Sequence, residues 1–274
     1  MVHYWRLISP EYNDPYTNMA IDEAILEGYL AGIVPPTFRI YGWKPAGISL
    51  GYFQKTDEVL NINNCQEQGI PFVRRLSGGE AIFHNKDVSY SIVCSTKDLF
   101  LPKLIKSSFK VLASFLINSY KTLGLKPCFF SEIKSKTLEE SHSSFCFAMR
   151  RDFDITIDGK KIGGNAQKRR KDIIFQHGSI PLKFDTKKIK LLIRENLKGV
   201  EEKTIDLKNA LGRKILFDEF ASLLIDSFRK TFSVNLVNDK QTHFELKIAK
   251  ILRKEKYANK EWNLAKTSLV KQED

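Results

Sequence analysis

No stretch of this chain reaches the roughly 18 consecutive apolar residues that crossing a bilayer requires, so a membrane-spanning role is set aside. The opening residues, Met1-Val2-His3-Tyr4-Trp5-Arg6, lack the charged-then-apolar layout of a secretory signal, and a cytoplasmic setting is expected. Cysteine is scarce: Cys65, Cys94, Cys128 and Cys146 form no CxxC pair and have no zinc-type spacing with the five histidines. Neither a disulfide framework nor a structural metal is therefore expected, and each thiol is free or catalytic. Cys65, Cys94 and Cys128 read as small buried or semi-buried hydrophobes. Repeats and low-complexity segments are absent. So are a nucleic-acid-binding fold motif and aromatics interleaved with the basic run, which argues against a nucleic-acid module.

What is present is positive charge, a net +12 over 274 residues, and this favours an acidic partner. The densest basic run, Lys168-Arg169-Arg170-Lys171, lies between two strand-like segments. It reads either as a solvated hairpin tip or as a docking edge for an acidic carrier protein. A hydrophobic fraction of 42% with 28% charged residues is ordinary for a globular protein with a real core. The length suggests one main α/β domain over residues 1–184 and a helical C-terminal appendage over 185–274.

The first helix is expected after Thr17-Asn18, with Asp22 and Glu23 in its first turn and an apolar stripe through Met19, Ile21, Ala24, Ile25 and Tyr29. Short strands are expected at Thr37–Tyr41, Gly47–Tyr52, Pro71–Arg75 and Val88–Cys94. The last alternates, with Val88, Tyr90, Ile92 and Cys94 on one face. Pro102–Leu123 reads as a long helix stopped by Gly124, and Ser131–Ser144 as a polar mobile loop. Asp158-Gly159 signals a type I′ hairpin between Phe153–Ile157 and a return strand starting at Lys160, followed by a strand over Ile173–Leu182. Beyond Thr186 the pattern is helical, with stripes through Phe217–Phe232 and Phe244–Leu252. Strands mixed with helices, several joined by hairpins, indicate an α/β (α+β) fold with a mixed, largely antiparallel sheet.

Three constellations carry chemistry. In Arg74-Arg75-Leu76-Ser77-Gly78-Gly79-Glu80-Ala81-Ile82-Phe83-His84, two glycines after a short strand let backbone approach a ligand, and exposed N–H groups there can cradle an oxygen. Arg74 and Arg75 alternate faces, so only one need face that ligand. In Lys160-Lys161-Ile162-Gly163-Gly164-Asn165-Ala166-Gln167, a lysine on a strand leading into a second Gly-Gly can polarise a carbonyl or take a thiol proton. Cys146 ends the polar loop fifteen residues before Lys161, in positively charged surroundings of the kind that activate a thiol. Taken singly, a Gly-Gly turn, a pair of surface lysines and a cysteine between phenylalanines are ordinary. Their weight comes from occurring together and in this order.

Arg74–Tyr90 resembles the RR-x-[ST]-GG-x-A-[VI]-x-H segment of the lipoate–protein ligase and octanoyltransferase superfamily. Gly159–Gln167 with Gln176-His177-Gly178-Ser179-Ile180 resembles its G-[KR]-K-[IV]-x-G-x-A-Q … HGSI segment. Asn18–Ala24, Tyr41–Pro45 and Lys256-Tyr257 … Glu261-Trp262-Asn263 resemble it too, so the likeness spans most of the chain. It implies the biotin/lipoyl-ligase-like α/β fold. It also implies substrate contacts from Arg74, Arg75, Ser77, Gly78, Gly79, His84, Gly163, Gly164, Asn165, Ala166, Gln167, His177 and Gly178, with Cys146 and Lys161 catalytic.

In the cysteine-dependent octanoyltransferase branch the nucleophile stands in a Cys-Phe motif eight residues before an acidic residue. Cys146-Phe147 stands in that register to Asp154, and Lys161 takes the place of the active-site lysine. The branch implies an acyl carrier protein as donor and, as acceptor, the lipoyl domains of 2-oxoacid dehydrogenases or the glycine cleavage H protein. No cofactor and no metal is expected. ATP and magnesium enter only under the alternative, an ATP-dependent lipoate–protein ligase. A carrier-to-carrier lipoyl amidotransferase and a non-catalytic carrier-binding relative are further alternatives. Two departures stand out. Glu80 replaces the usual glycine or arginine after Gly-Gly, and Ala148–Phe153 differs from the branch's usual text.

Overall fold

The structure, a computed structural model, describes residues 4–133, 151–194 and 200–265. Its strands are β1 (Tyr4–Asn13), β2 (Thr37–Trp43), β3 (Gly47–Leu50), β4 (Phe72–Arg74), β5 (Ile82–His84), β6 (Asp87–Ser95), β7 (Pro127–Phe129), β8 (Ile155–Ile157), β9 (Lys160–Lys161), β10 (Gly164–Arg170), β11 (Ile173–Pro181) and β12 (Asn235–Asp239). A six-stranded sheet runs β10-β11-β6-β2-β1-β12, and two three-stranded sheets run β4-β3-β5 and β7-β8-β9. Pairing is antiparallel from β10 through β2 and in the β7-β8-β9 sheet. It is parallel where β1 meets β2 and β12, and where β3 meets β4. The sheet is thus mixed and mostly antiparallel, as the motif pattern implies.

The helices are α1 (Pro15–Leu30), α2 (Thr56–Val59), α3 (Ile62–Glu67), α4 (Ile105–Thr122), α5 (Thr186–Leu192), α6 (Val200–Lys203), α7 (Leu207–Leu211), α8 (Phe217–Phe232), α9 (His243–Leu252) and α10 (Lys260–Ala265), with one π-helical turn at Arg253–Tyr257. The alternation of β6 decides which helices cover which face. Val88, Tyr90, Ile92 and Cys94 enter one core cluster with Leu112, Phe115 and Leu116 of α4 and Phe220, Leu224 and Phe228 of α8. Val93, one residue out of phase, packs on the other face with Ile21, Ile25 and Leu26 of α1.

That other face is polar at its centre. Ser91 of β6 donates to Asp22 of α1, whose carboxylate also accepts from Arg39 Nη1 at 2.7 Å and Tyr41 at 2.9 Å. Glu23 accepts from Lys256 at 2.8 Å and from the Tyr257 hydroxyl at 2.5 Å. Asp22 and Glu23, expected as first-turn anions, are therefore buried ties between α1, the sheet and the C-terminal segment. The helix begins earlier than expected: Asp14 caps it, accepting from the backbone N–H groups of Tyr16 and Thr17, and Pro15 fills the first turn.

Residues after 184 carry the helices α5–α10, and they also supply β12 to the edge of the main sheet, pairing Leu236 with Trp5, and α8 to the main core. The basic run is not itself a hairpin tip. Lys168, Arg169 and Arg170 end strand β10, and the turn lies at Lys171-Asp172. Arg169 donates to Ser108 and to the Lys103 carbonyl, Arg170 pairs with Glu27, and the Lys168 ammonium lies over the Tyr52 ring. The type I′ hairpin is present, with φ of 49° at Asp158 and 73° at Gly159. Of the polar loop, Ser131 and Glu132 lie in a 3-10 turn, while residues from 134 to 144 lie outside the described residues. Cys65 and Cys94 are buried and Cys128 is half-buried.

Candidate active site

Antiparallel register brings the second glycine motif against the HGS segment. Asn165 of β10 pairs with Gly178 of β11, and Ala166 pairs with His177. The first glycine motif arrives from the smaller sheet, where β5 returns along β3 and ends at His84. Between them lies a narrow cavity of about 20 Å³, walled by Arg75, Gly79 and His84 from one side and Gly164–Ala166 and His177–Ser179 from the other. Met19, Tyr41, Trp43 and Ile82 supply its apolar wall. In this state it has room for about one water molecule.

The walls are held by a buried hydrogen-bond chain. Arg75 Nη1 donates to the Ser49 hydroxyl oxygen at 3.0 Å, and Ser49 lies 2.8 Å from His84 Nε2. Because Ser49 accepts from Arg75, its own proton is available to His84 Nε2, and the ring proton then sits on Nδ1, 2.7 Å from Asp87 Oδ2. The same Oδ2 accepts from Ser89 at 3.1 Å and Ser179 at 2.7 Å. Trp43 stacks on the His84 ring at 3.8 Å and donates its indole N–H to Ser89. Arg75 Nη2 donates to the carbonyls of Gly78 and Glu80, which fixes the Gly-Gly turn. There Gly79 adopts φ +94°, and its carbonyl lies so close to Gly51 that a β-carbon on Gly51 would stand 1.6 Å from it. Both positions require glycine.

His177 contacts the Ser77 hydroxyl through Nε2 at 2.5 Å. Burial, then the charged Arg75 and the nearby His84 ring, push its pKa well below the ordinary imidazole value, so the ring is neutral at pH 7. Asn165 has its amide oxygen occupied by the Tyr90 hydroxyl at 2.7 Å, so what it offers the cavity is its Nδ2 donor. The site therefore joins an apolar slot to a neutral imidazole and an amide donor, an arrangement suited to holding a carbonyl at the head of an aliphatic chain.

The sequence profile of the lipoyl protein ligase A/B catalytic domain matches residues 14–229. Octanoyltransferase LipM of Brevibacillus brevis is 34% identical over 95% of this chain and 98% of its own. The chain belongs to the lipoyl protein ligase A/B catalytic domain family. Among solved structures, a lipoate–protein ligase A bound with ATP superimposes with a TM-score of 0.78 at 25% identity, covering 96% of this chain and 98% of that one. The bipartite lipoate protein ligase of Thermoplasma acidophilum, solved with its E2 lipoyl domain, superimposes with a TM-score of 0.79 at 24% identity, covering 100% and 99%. The latter likeness is one of fold.

Of the residues that the family resemblance singles out, Arg75, Gly79, His84, Gly164, Asn165, Ala166, His177 and Gly178 line the cavity. Ser77, Gly78 and Gln167 support it from behind. Ser77 touches His177, Gly78 accepts from Arg75, and Gln167 donates to Gln176 at 2.9 Å. Gly163 adopts φ +82° against the Ser179 carbonyl, letting β9 turn into β10. Arg74 points elsewhere. Its guanidinium donates to the carbonyls of Gly51, Tyr52, Gln54, Trp262 and Asn263 and to the Thr56 hydroxyl, a latch that holds α10 in place. Lys161 is buried in an ion pair with Asp154 at 2.8 Å, outside the cavity wall. Cys146 lies outside the described residues.

The two departures meet. Arg151, within the unusual stretch, donates to Glu80 at 2.5 Å, so an acid beside Gly-Gly is matched by a base from the other departure. Sequence reasoning did not select Trp43, Ser49, Asp87, Ser89 or Ser179, although they organise the walls. One signal was available: Asp87, Ser89 and Ser91 lie together on one face of a strand whose other face carries Val88, Tyr90, Ile92 and Cys94, and a buried strand with a polar face marks a network.

Proposed function

We propose that this chain transfers an octanoyl group from acyl carrier protein to a lysine of a lipoyl domain through a thioester on Cys146. Its place in a family of protein-lipoylation enzymes, with octanoyltransferases among its full-length relatives, supports the acyl group and the acceptor. The observation that carries the reading is the convergence of both glycine motifs, His84 and His177 on one slot with an apolar wall. Five residues after Cys146 the chain is tied at Arg151 to the Gly-Gly turn, and eight residues after it the chain is tied at Asp154 to Lys161.

In this mechanism the Cys146 thiolate attacks the carbonyl carbon of the donor thioester, and the carrier leaves as a thiol with the proton that Cys146 gave up. The free amine of the lipoyl-domain lysine then attacks the acyl-enzyme. The C–S bond breaks, an amide forms, and the amine proton returns to sulfur. Exchange of one thioester for another is nearly isoenergetic and thioester to amide runs downhill, so no ATP is consumed. Asn165 Nδ2 supplies a donor for the oxyanion, and the Lys161 ammonium, held by Asp154 outside the slot wall, adds positive charge near the reacting segment. The acyl chain enters along Met19, Tyr41, Trp43 and Ile82, and Met19, unbranched and adaptable, is the wall that yields.

Mixing the enzyme with octanoyl-carrier protein and a lipoyl domain, without nucleotide, tests the reading. Mass spectrometry of the domain is expected to find one octanoyl group on its lysine. Modification that requires free fatty or lipoic acid and ATP would contradict it.

A further inference from the structure

A second cavity, about 450 Å³, adjoins the slot and shares Trp43 with it. Asp87 stands in its wall and reaches the first site through His84. Four lysines face this cavity, Lys86, Lys183, Lys208 and Lys214, together with the rings of Tyr12 and Phe217. The backbone gathers them. Leu182 and Lys183 both donate their N–H groups to the Lys86 carbonyl, and Lys208 donates its own to the Leu182 carbonyl.

None of the four ammonium groups has a carboxylate partner among the described residues. Four like charges around one hollow repel one another and favour an anion between them. Asp87 gives an independent sign of a ligand. Its Oδ2 accepts three hydrogen bonds, yet its Oδ1 is buried with no partner among the described residues. A buried acceptor left bare costs free energy that a donor in the cavity would recover.

The geometry points to a phosphate site: we propose that the second cavity binds the phosphorylated end of the acyl donor's prosthetic arm. The lysines would hold the phosphate, and an amide N–H or hydroxyl of the arm would reach Asp87 Oδ1. This rests on the proposed donor. The shared wall at Trp43 lets one extended molecule place phosphate in the larger cavity and a thioester in the slot. The recognised chemistry, a phosphoryl group beside a donor, is also offered by a nucleotide, so the test separates the two.

Binding of phosphopantetheine, of pantetheine and of ATP is measured by calorimetry on the full chain, in the wild type and in a Lys183→Ala/Lys208→Ala variant. Turnover is measured with octanoyl-phosphopantetheine and octanoyl-pantetheine as donors. Phosphopantetheine is expected to bind at least about ten-fold tighter than pantetheine, the worth of one charge-assisted hydrogen bond, and the variant is expected to lose that ratio. The two donors' kcat/KM values are expected to follow the same ratio. Equal binding of the two pantetheines, or a ratio that survives in the variant, overturns the proposal. So does ATP binding that depends on these lysines while phosphopantetheine does not bind, which gives the cavity to a nucleotide. Because binding is read without turnover, a failure of the octanoyl-transfer reading leaves this result interpretable.

Discussion

Glu80 and Arg151 exemplify how a residue that breaks a family pattern acquires meaning from its partner. The ion pair is partly open, with Arg151 40% exposed, so its worth to stability is about 1 kcal/mol or less. It joins the Gly-Gly turn to the chain five residues beyond Cys146 in sequence. Glu80→Arg is expected to lower kcat/KM about ten-fold with little change in melting temperature, and adding Arg151→Glu is expected to restore much of it; a ten-fold loss is only 1.4 kcal/mol of transition-state stabilisation. Steady-state kinetics of both variants checks this. At His177 the sign of a pH effect follows from its depressed pKa. Above the unfolded-state value near 6.5 both states are neutral. As pH falls below it the unfolded chain takes a proton that the folded site resists, and stability drops by up to about 1.4 kcal/mol per pH unit. Urea unfolding between pH 7 and pH 5 is expected to show a shallower decline in His177→Gln than in the wild type.

At the scale of elements, the smallest ties matter most. Arg74 holds α10 and the loop after β3 through carbonyls, without a carboxylate, and burial pushes its pKa down. Arg74→Lys cannot span those acceptors, and it is expected to cost about 3 kcal/mol and to speed hydrogen exchange across residues 253–265. The sequence announced β6, the hairpin at Asp158-Gly159 and the body of α4 because each carries a local pattern: alternation, two positive-φ residues, a long stripe. It misplaced the start of α1 because Thr17-Asn18 resembles a cap, whereas Asp14 before Pro15 performs that role. The burial of Asp22 and Glu23 was not legible, since Arg39 and Lys256, their partners, are distant in sequence. The strand character of Lys168–Arg170 was hidden by charge, which reads as a turn until Ser108 and Glu27 are known to stand opposite.

For the whole molecule, the two glycine motifs, each ordinary alone, face one another across the slot because the β10–β11 pairing and the β3–β5 return bring them together. They did not distinguish Arg75, which organises the slot, from Arg74, which latches the C-terminus; that distinction depends on which face of β4 meets which neighbour. Nor did they foresee β12, a short polar segment whose strand state is imposed by pairing with β1. The net charge of +12 belongs to this scale, and it predicts that transfer from an acidic carrier protein falls steeply with salt while transfer from a small acyl thioester does not. Rates at two ionic strengths with each donor check that. The covalent step is tested most directly by intact-mass spectrometry of the enzyme after exposure to octanoyl-carrier protein with no acceptor. A gain of one octanoyl group is expected, removed by hydroxylamine and absent in Cys146→Ala. An unmodified enzyme, or a Cys146→Ala variant that still octanoylates lipoyl domains at the normal rate, would contradict it.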